Sequence, residues 1–124
     1  MDGIRMHELK IRPDFFTPVW NGTKGFEVRR NDRDYRVGDW LDLKEWTEGG
    51  GYTGRHVKVR VDYKLPSDRA MGMVADGCAV LGISNPFPGR VCPYCGFPII
   101  WKTVYDLVDY ECEKCGRGWM GARE

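Results

Sequence analysis

Four cysteines in two pairs constrain this chain more than any other feature. They stand as Cys92-Pro93-Tyr94-Cys95 and Cys112-Glu113-Lys114-Cys115, with sixteen residues between the pairs. Two thiolates two residues apart can ligate one ion from a tight turn. Two such turns complete a tetrahedron of sulfur ligands, the pattern of a zinc ribbon. Gly96 and Gly116 follow the second cysteine of each pair, where a knuckle often needs positive φ. Four protein ligands leave no open position, so Cys92, Cys95, Cys112 and Cys115 are expected to hold a structural Zn2+ and not a catalytic one. A redox dithiol, a pair of disulfides or iron would use the same residues. Cys78 lies in an apolar run and reads as an inert buried thiol.

The 124 residues suffice for one compact domain plus a small metal-stapled one. Thiolate ligation suits a reducing compartment, and Met1 to Arg5 has no apolar core of a leader, so a cytoplasmic monomer with no membrane partner is expected. The net charge of +1 gives no global attraction to nucleic acid, so any such reading must rest on a local patch. Between Lys24 and Arg36 five cations face three anions. That excess equally suits a solvated turn laced with ion pairs.

Hydrophobic periodicity predicts a mainly β chain with one or two short helices, an α+β composition. His7 to Ile11 alternates, with Leu9 and Ile11 facing a core. Pro13 suits a first helical position; Phe15, Phe16, Val19 and Trp20 follow at helical spacing, with Pro18 shortening or bending the helix and Asn21-Gly22 ending it. Phe26 to Arg29 is a second strand, with Phe26 and Val28 on one face and Glu27 and Arg29 on the other. Trp40 to Lys44 is a third. Gly49 to Gly54 reads as a flexible loop. Arg55 to Leu65 is the longest alternating run, with Val57, Val59, Val61 and Tyr63 on one side. Residues 66–77 read as a loop with one helical turn, and Cys78 to Ile83 as a central strand. Asn85-Pro86-Phe87-Pro88-Gly89 reads as a linker. The expected organisation is residues 1–84, a linker at 85–89, and a ribbon at 90–124 whose middle, Phe97 to Leu107, supplies a hairpin over the metal.

The string Gly22-Thr23-Lys24-Gly25-Phe26-Glu27-Val28-Arg29 has the form G-x-K-x-x-E-x-R. It resembles the signature of ASCH domains, a branch of the PUA-like superfamily. His7-Glu8-Leu9-Lys10, Arg30 to Tyr35, Val37-Gly38-Asp39, Tyr52-Thr53-Gly54-Arg55 and Val80 to Ile83 extend the resemblance over residues 6–84, to a bacterial and phage-associated ASCH-like group. The resemblance implies a small β-barrel with the signature strand lining a cleft, and relatives that bind RNA or recognise modified bases. One ASCH-type enzyme is an amidohydrolase of acetylated cytidine. Its catalytic lysine matches Lys24, whereas its catalytic threonine is replaced here by Glu27.

On an extended strand Glu27 and Arg29 share a face, and Lys24 stands at its entrance. In a binding cleft Lys24 and Arg29 would hold phosphate or a base edge while Glu27 accepted hydrogen bonds from an exocyclic amine. His7, Asn31, Arg33, Tyr52 and Arg55 are the further candidate ligand-binding residues, and Tyr35 and Trp40 could stack on a base. In an enzyme Lys24 and Glu27 would be the working pair of a hydrolase acting on a modified nucleoside amide. His56 has no partner motif and reads as a surface residue. The ribbon, with Trp101, Trp119, Lys114 and Arg117, either staples the fold or meets a protein or nucleic-acid partner. The expected function is thus an RNA- or nucleotide-binding module, with the amidohydrolase and a ribbon-borne protein-interaction adaptor as alternatives.

Overall fold

The computed structural model describes residues 5–96, 102–104, 107–112, 114–115 and 118–121. Its strands are β1 (Met6–Ile11), β2 (Phe26–Arg30), β3 (Trp40–Thr47), β4 (Gly51–Pro66), β5 (Cys78–Ser84), β6 (Lys102–Val104), β7 (Leu107–Glu111) and β8 (Gly118–Gly121). One α-helix, α1 (Pro13–Trp20), follows β1, and a 3-10 turn spans Ser67–Arg69. The first five strands form one sheet in the order β1-β3-β4-β5-β2, curled into a half-barrel. β1 runs parallel to β3, and the other pairings are antiparallel. β6, β7 and β8 form a separate antiparallel sheet. Of the expected hairpin, Phe97 to Trp101 lies outside the described residues.

Alternation drives the curl. Leu9 and Ile11 of β1, Leu41 and Leu43 of β3, Val57, Val59 and Val61 of β4, and Ala79, Leu81 and Ile83 of β5 all turn inward and are buried. α1 contributes Phe16, Val19 and Trp20 to the same core. Pro13 opens the helix, where its missing N–H costs nothing. It lasts eight residues with Pro18 inside it, and Gly22 at φ +87° ends it. A β-carbon on Gly22 would stand 2.7 Å from Cβ of Pro88, so the residue also permits a close approach of the 85–91 segment.

Two sequence expectations fail here for geometric reasons. Residues 51–54 belong to β4 and are not a flexible loop: Gly51 pairs with Thr47 and Tyr52 with Trp46, closing a tight hairpin. Tyr63 does not share the side of Val57, Val59 and Val61. The register slips by one residue between Val61 and Tyr63, and the bulge sends the Tyr63 ring out to 64% exposure. Period-two counting cannot see an inserted residue.

The sheet's two edges, β1 and β2, meet across a seam held by side chains. Arg29 Nη2 donates to Lys10 O at 2.6 Å and Arg33 Nη1 to Glu8 O at 3.0 Å. Arg5 Nη2 donates back to the carbonyls of Arg33 and Asp34. No helix among the described residues is long and apolar enough to cross a membrane.

Candidate functional site

β2 carries an unusual alternation. Glu27 pairs with Leu81 and Arg29 with Ala79, and both partners face the core. The two charged side chains therefore point inward, while Phe26 and Val28 are 49% and 56% exposed. A carboxylate turned into a core must be paired, since an unpartnered buried charge costs several kcal/mol, of order ~3–5. Glu27, 4% exposed, is paired twice. Lys24 Nζ donates to Oε1 at 2.7 Å, and Arg29 Nε donates to Oε2 at 3.0 Å. Lys24 reaches inward because Gly22 ends α1 and the chain turns directly into β2; its backbone N–H donates to Pro18 O. Its Nζ also donates to Phe26 O at 2.8 Å and lies over the rings of Phe26 and Phe15, at 4.8 and 5.2 Å.

The three side chains of the signature thus converge on one carboxylate. The convergence continues across the seam. Arg29 bonds the carbonyl of Lys10, whose own ammonium lies 4.6 Å from the centre of the Trp46 ring and 5.9 Å from that of Tyr52. Phe15, Phe26 and Tyr52 are each about half exposed, so cations and solvent-facing rings interleave along this edge. A hollow of about 270 Å³ opens beside Lys24, walled by Gly25, Ser84 and Asn85 among others.

The remaining candidates divide. Arg33 is at the seam. Asn31 is exposed just after β2, its backbone N–H bonded to Gly77 O. Arg55 does not meet Glu27: its guanidinium grips Glu45 at 2.9 and 2.6 Å and stacks 4.5 Å from the Phe16 ring. Burial opposes ionisation of Glu45, yet hydrogen bonds from Arg55 and Thr53 hold its carboxyl below the usual range. His7 also joins another set: Nε2 lies 2.9 Å from Asp39 Oδ2, and its ring meets Tyr35 edge-on at 4.9 Å. Tyr35 is 2% exposed, so it cannot stack on an external base, and burial raises its phenol above the ordinary value. His56 is half-buried and not a free surface group, with Nδ1 2.9 Å from Asp42 Oδ1. Four buried carboxylates (Glu27, Asp39, Asp42 and Glu45) each have a cationic or imidazole partner. Only Glu27 of these has its partners within three residues; Asp42 and Glu45 take theirs from the neighbouring strand β4, 14 and 10 residues on, and Asp39 takes His7 from β1. Cys78 is half-buried, not fully enclosed.

The sulfurs of Cys92, Cys95, Cys112 and Cys115 all lie within 4.8 Å of one another, placed to hold a metal ion. Cys92 Sγ is 3.8 Å from Cys115 Sγ, and Cys95 Sγ is 3.4 Å from Cys112 Sγ. A disulfide would need about 2.05 Å. A tetrahedral ion with metal–sulfur bonds of about 2.3 Å places sulfurs about 3.8 Å apart. The residues fit such an ion. Gly96 at φ +79° closes the first knuckle, its N–H donating to Cys92 O. Burial pushes the Cys92 thiol up to about 12, while the Cys115 backbone pulls Cys112 down to about 7. A divalent ion would hold all four as thiolates. Trp101, Arg117 and the Trp119 side chain lie outside what is described.

This first knuckle is docked on the half-barrel. Trp20 O accepts from Asn85 Nδ2 and from Gly89 N–H, both at 2.8 Å. Trp20 Nε1 donates to Val91 O at 2.8 Å, and His56 N–H donates to Pro93 O at 2.7 Å. The 85–91 segment therefore lies against α1.

Comparison with known proteins agrees with the extent of the half-barrel. An uncharacterized 12.9 kDa protein in the GpA 3′ region of Escherichia phage P2 is 42% identical over 94 residues, covering 67% of this chain and 84% of the phage protein. The profile of a family described as "Domain of unknown function (DUF3850)" matches residues 6–83, from the start of β1 to the penultimate residue of β5. The chain belongs to the DUF3850 family.

Proposed function

We propose that the chain is a recognition module for single-stranded RNA or a nucleotide, an ASCH/PUA-like half-barrel stapled at its C-terminal end by structural zinc. The observation that carries this reading is the convergence of Lys24 and Arg29 on buried Glu27, continued through Lys10 to Trp46 and Tyr52. Cations held in fixed positions beside exposed rings suit a strand whose phosphates are anionic and whose bases present π-faces. Glu27 has both oxygens engaged, so its role is to fix the two cations, not to read a base.

The amidohydrolase alternative is less well supported. A lysine acting as base must present a lone pair, yet every contact of Lys24 Nζ is one that an ammonium makes: a carboxylate, a carbonyl and two ring faces. Both oxygens of Glu27 likewise already accept from cations, which opposes its taking a proton from a substrate or water. Incubation with acetylated cytidine, followed by product analysis, is expected to give no turnover.

The test is fluorescence anisotropy of a labelled single-stranded RNA hexamer at low salt. Wild type is expected to bind, and Lys24→Ala to bind about tenfold more weakly. Its salt dependence should be shallower by about 0.7, as for one lost phosphate contact on a single strand. No binding by wild type, or equal binding by both proteins, overturns the reading.

A further inference from the structure

A second hollow, of about 750 Å³, lies among the end of α1, β3, β4 and the first cysteine knuckle. Its walls include the rings of Trp20, Trp40 and Phe87, and the cationic side chains of Lys58 and Arg90. Among the described residues that line it there is no carboxylate. His56 also lines it, held through Nδ1 by Asp42. Its size falls in the range of small-molecule sites, roughly 300–1,000 Å³. Cys92 and Cys95 of the knuckle also line it, so the two cations lie on the wall that faces the sulfur cluster. Aromatic rings beside cations match the chemistry of a nucleotide, whose base offers a π-face and whose phosphate is anionic.

Its position ties it to Lys24. Asn85 lines both this cavity and the smaller hollow beside Lys24. That residue is a fixed post between them: its Nδ2 is bonded to Trp20 O, and its Oδ1 accepts from Phe87 N–H at 3.0 Å. A strand with one nucleotide at Lys24 passes Asn85 and meets Phe87 next. Resting on the function proposed above, we infer that this cavity is a second subsite of the same single-stranded RNA site. It takes the base and phosphate of the neighbouring nucleotide, with Phe87 and Trp40 as stacking surfaces, Arg90 and Lys58 as phosphate contacts, and the metal knuckle as one wall. The knuckle thereby acquires a role in ligand length selection as well as in folding.

The experiment compares AMP with the RNA hexamer A6 on the metal-loaded full chain, using calorimetry for A6 and NMR shifts for AMP. Phe87→Ala and Arg90→Glu alter exposed side chains, and unchanged melting curves establish that each variant is folded. Each is expected to weaken A6 binding about tenfold or more and to remove the AMP-induced shifts at the cavity residues while leaving those beside Lys24; Lys24→Ala is expected to weaken A6 and to remove the AMP-induced shifts beside Lys24. If A6 binds both cavity variants as it binds wild type, while Lys24→Ala still weakens it, the second subsite is overturned and the function proposed above stands. If AMP gives no shifts at the cavity residues of wild type, or if the cavity variants also remove the shifts beside Lys24, the two hollows are not successive subsites, and the inference is again overturned. If neither probe binds wild type, the functional reading fails and this one falls with it.

Discussion

Glu27→Gln isolates the physics of the site in a single atom. The amide keeps the shape of the carboxylate but offers one oxygen and one NH2 group. Lys24 Nζ approaches one side at 2.7 Å and Arg29 Nε the other at 3.0 Å, and both are donors. Whichever way the amide turns, one cation meets a donor. A hydrogen bond to a charged group contributes about 1.5–3 kcal/mol, so one is lost outright and the other loses its charge assistance. The retained carbonyl contacts, Phe26 O for Lys24 and Lys10 O for Arg29, limit the damage. A net loss of about 3 kcal/mol follows, equivalent to a fall in Tm of about 12 °C for a domain of this size. Lys24→Met leaves Glu27 with Arg29 and should cost less, about 1–2 kcal/mol. Urea unfolding followed by tryptophan fluorescence measures both, provided the slope with denaturant is unchanged. A Glu27→Gln protein within about 0.5 kcal/mol of wild type would refute the claim that two cations converge on a buried carboxylate.

Chelation should remove the roughly 10 kcal/mol or more that a structural zinc site supplies, and hydrogen exchange should then show loss of protection at the backbone amides of His56 and Gly89 while those of Leu41 and Val59 persist; simultaneous loss in both groups would show a single cooperative unit. Glu45 has its carboxyl held below its ordinary value of 4.5, so it contributes stability above that pH and loses it as pH falls through the folded value; acid titration of Glu45→Gln should accordingly be flatter than that of wild type below about pH 4.5. Gly22→Ala must place a β-carbon 2.7 Å from Pro88 at φ +87°, so it should cost about 1–3 kcal/mol, and it should expose Trp20 as the 85–91 segment lifts, read as a red shift in fluorescence.

Much of this molecule is written in local pattern. The spacing of the four cysteines announces a four-sulfur cluster, because a tight turn needs only two intervening residues to present two sulfurs to one ion. The strand from Cys78, the helix from Pro13 and its end at Gly22 follow from periodicity and from backbone chemistry that acts over three or four residues. The string from Gly22 to Arg29 marks Lys24, Glu27 and Arg29 as neighbours, because alternation alone places two of them on one face.

Tertiary structure decided the rest. Sequence could not say which face of β2 turns inward, since Phe26 and Val28 make the more apolar choice; pairing with Leu81 and Ala79 settles it in favour of the charges. It could not find the partners of Glu45, Asp42 and His7, which come from 10, 14 and 32 residues away. Nor could it anticipate the bulge that turns Tyr63 outward, or the docking of the first knuckle on Trp20 and His56. Local preference acts through neighbouring backbone torsions and is readable along the chain. The enclosure of a charge, by contrast, depends on which distant strands close around it, and only the folded sheet brings them together.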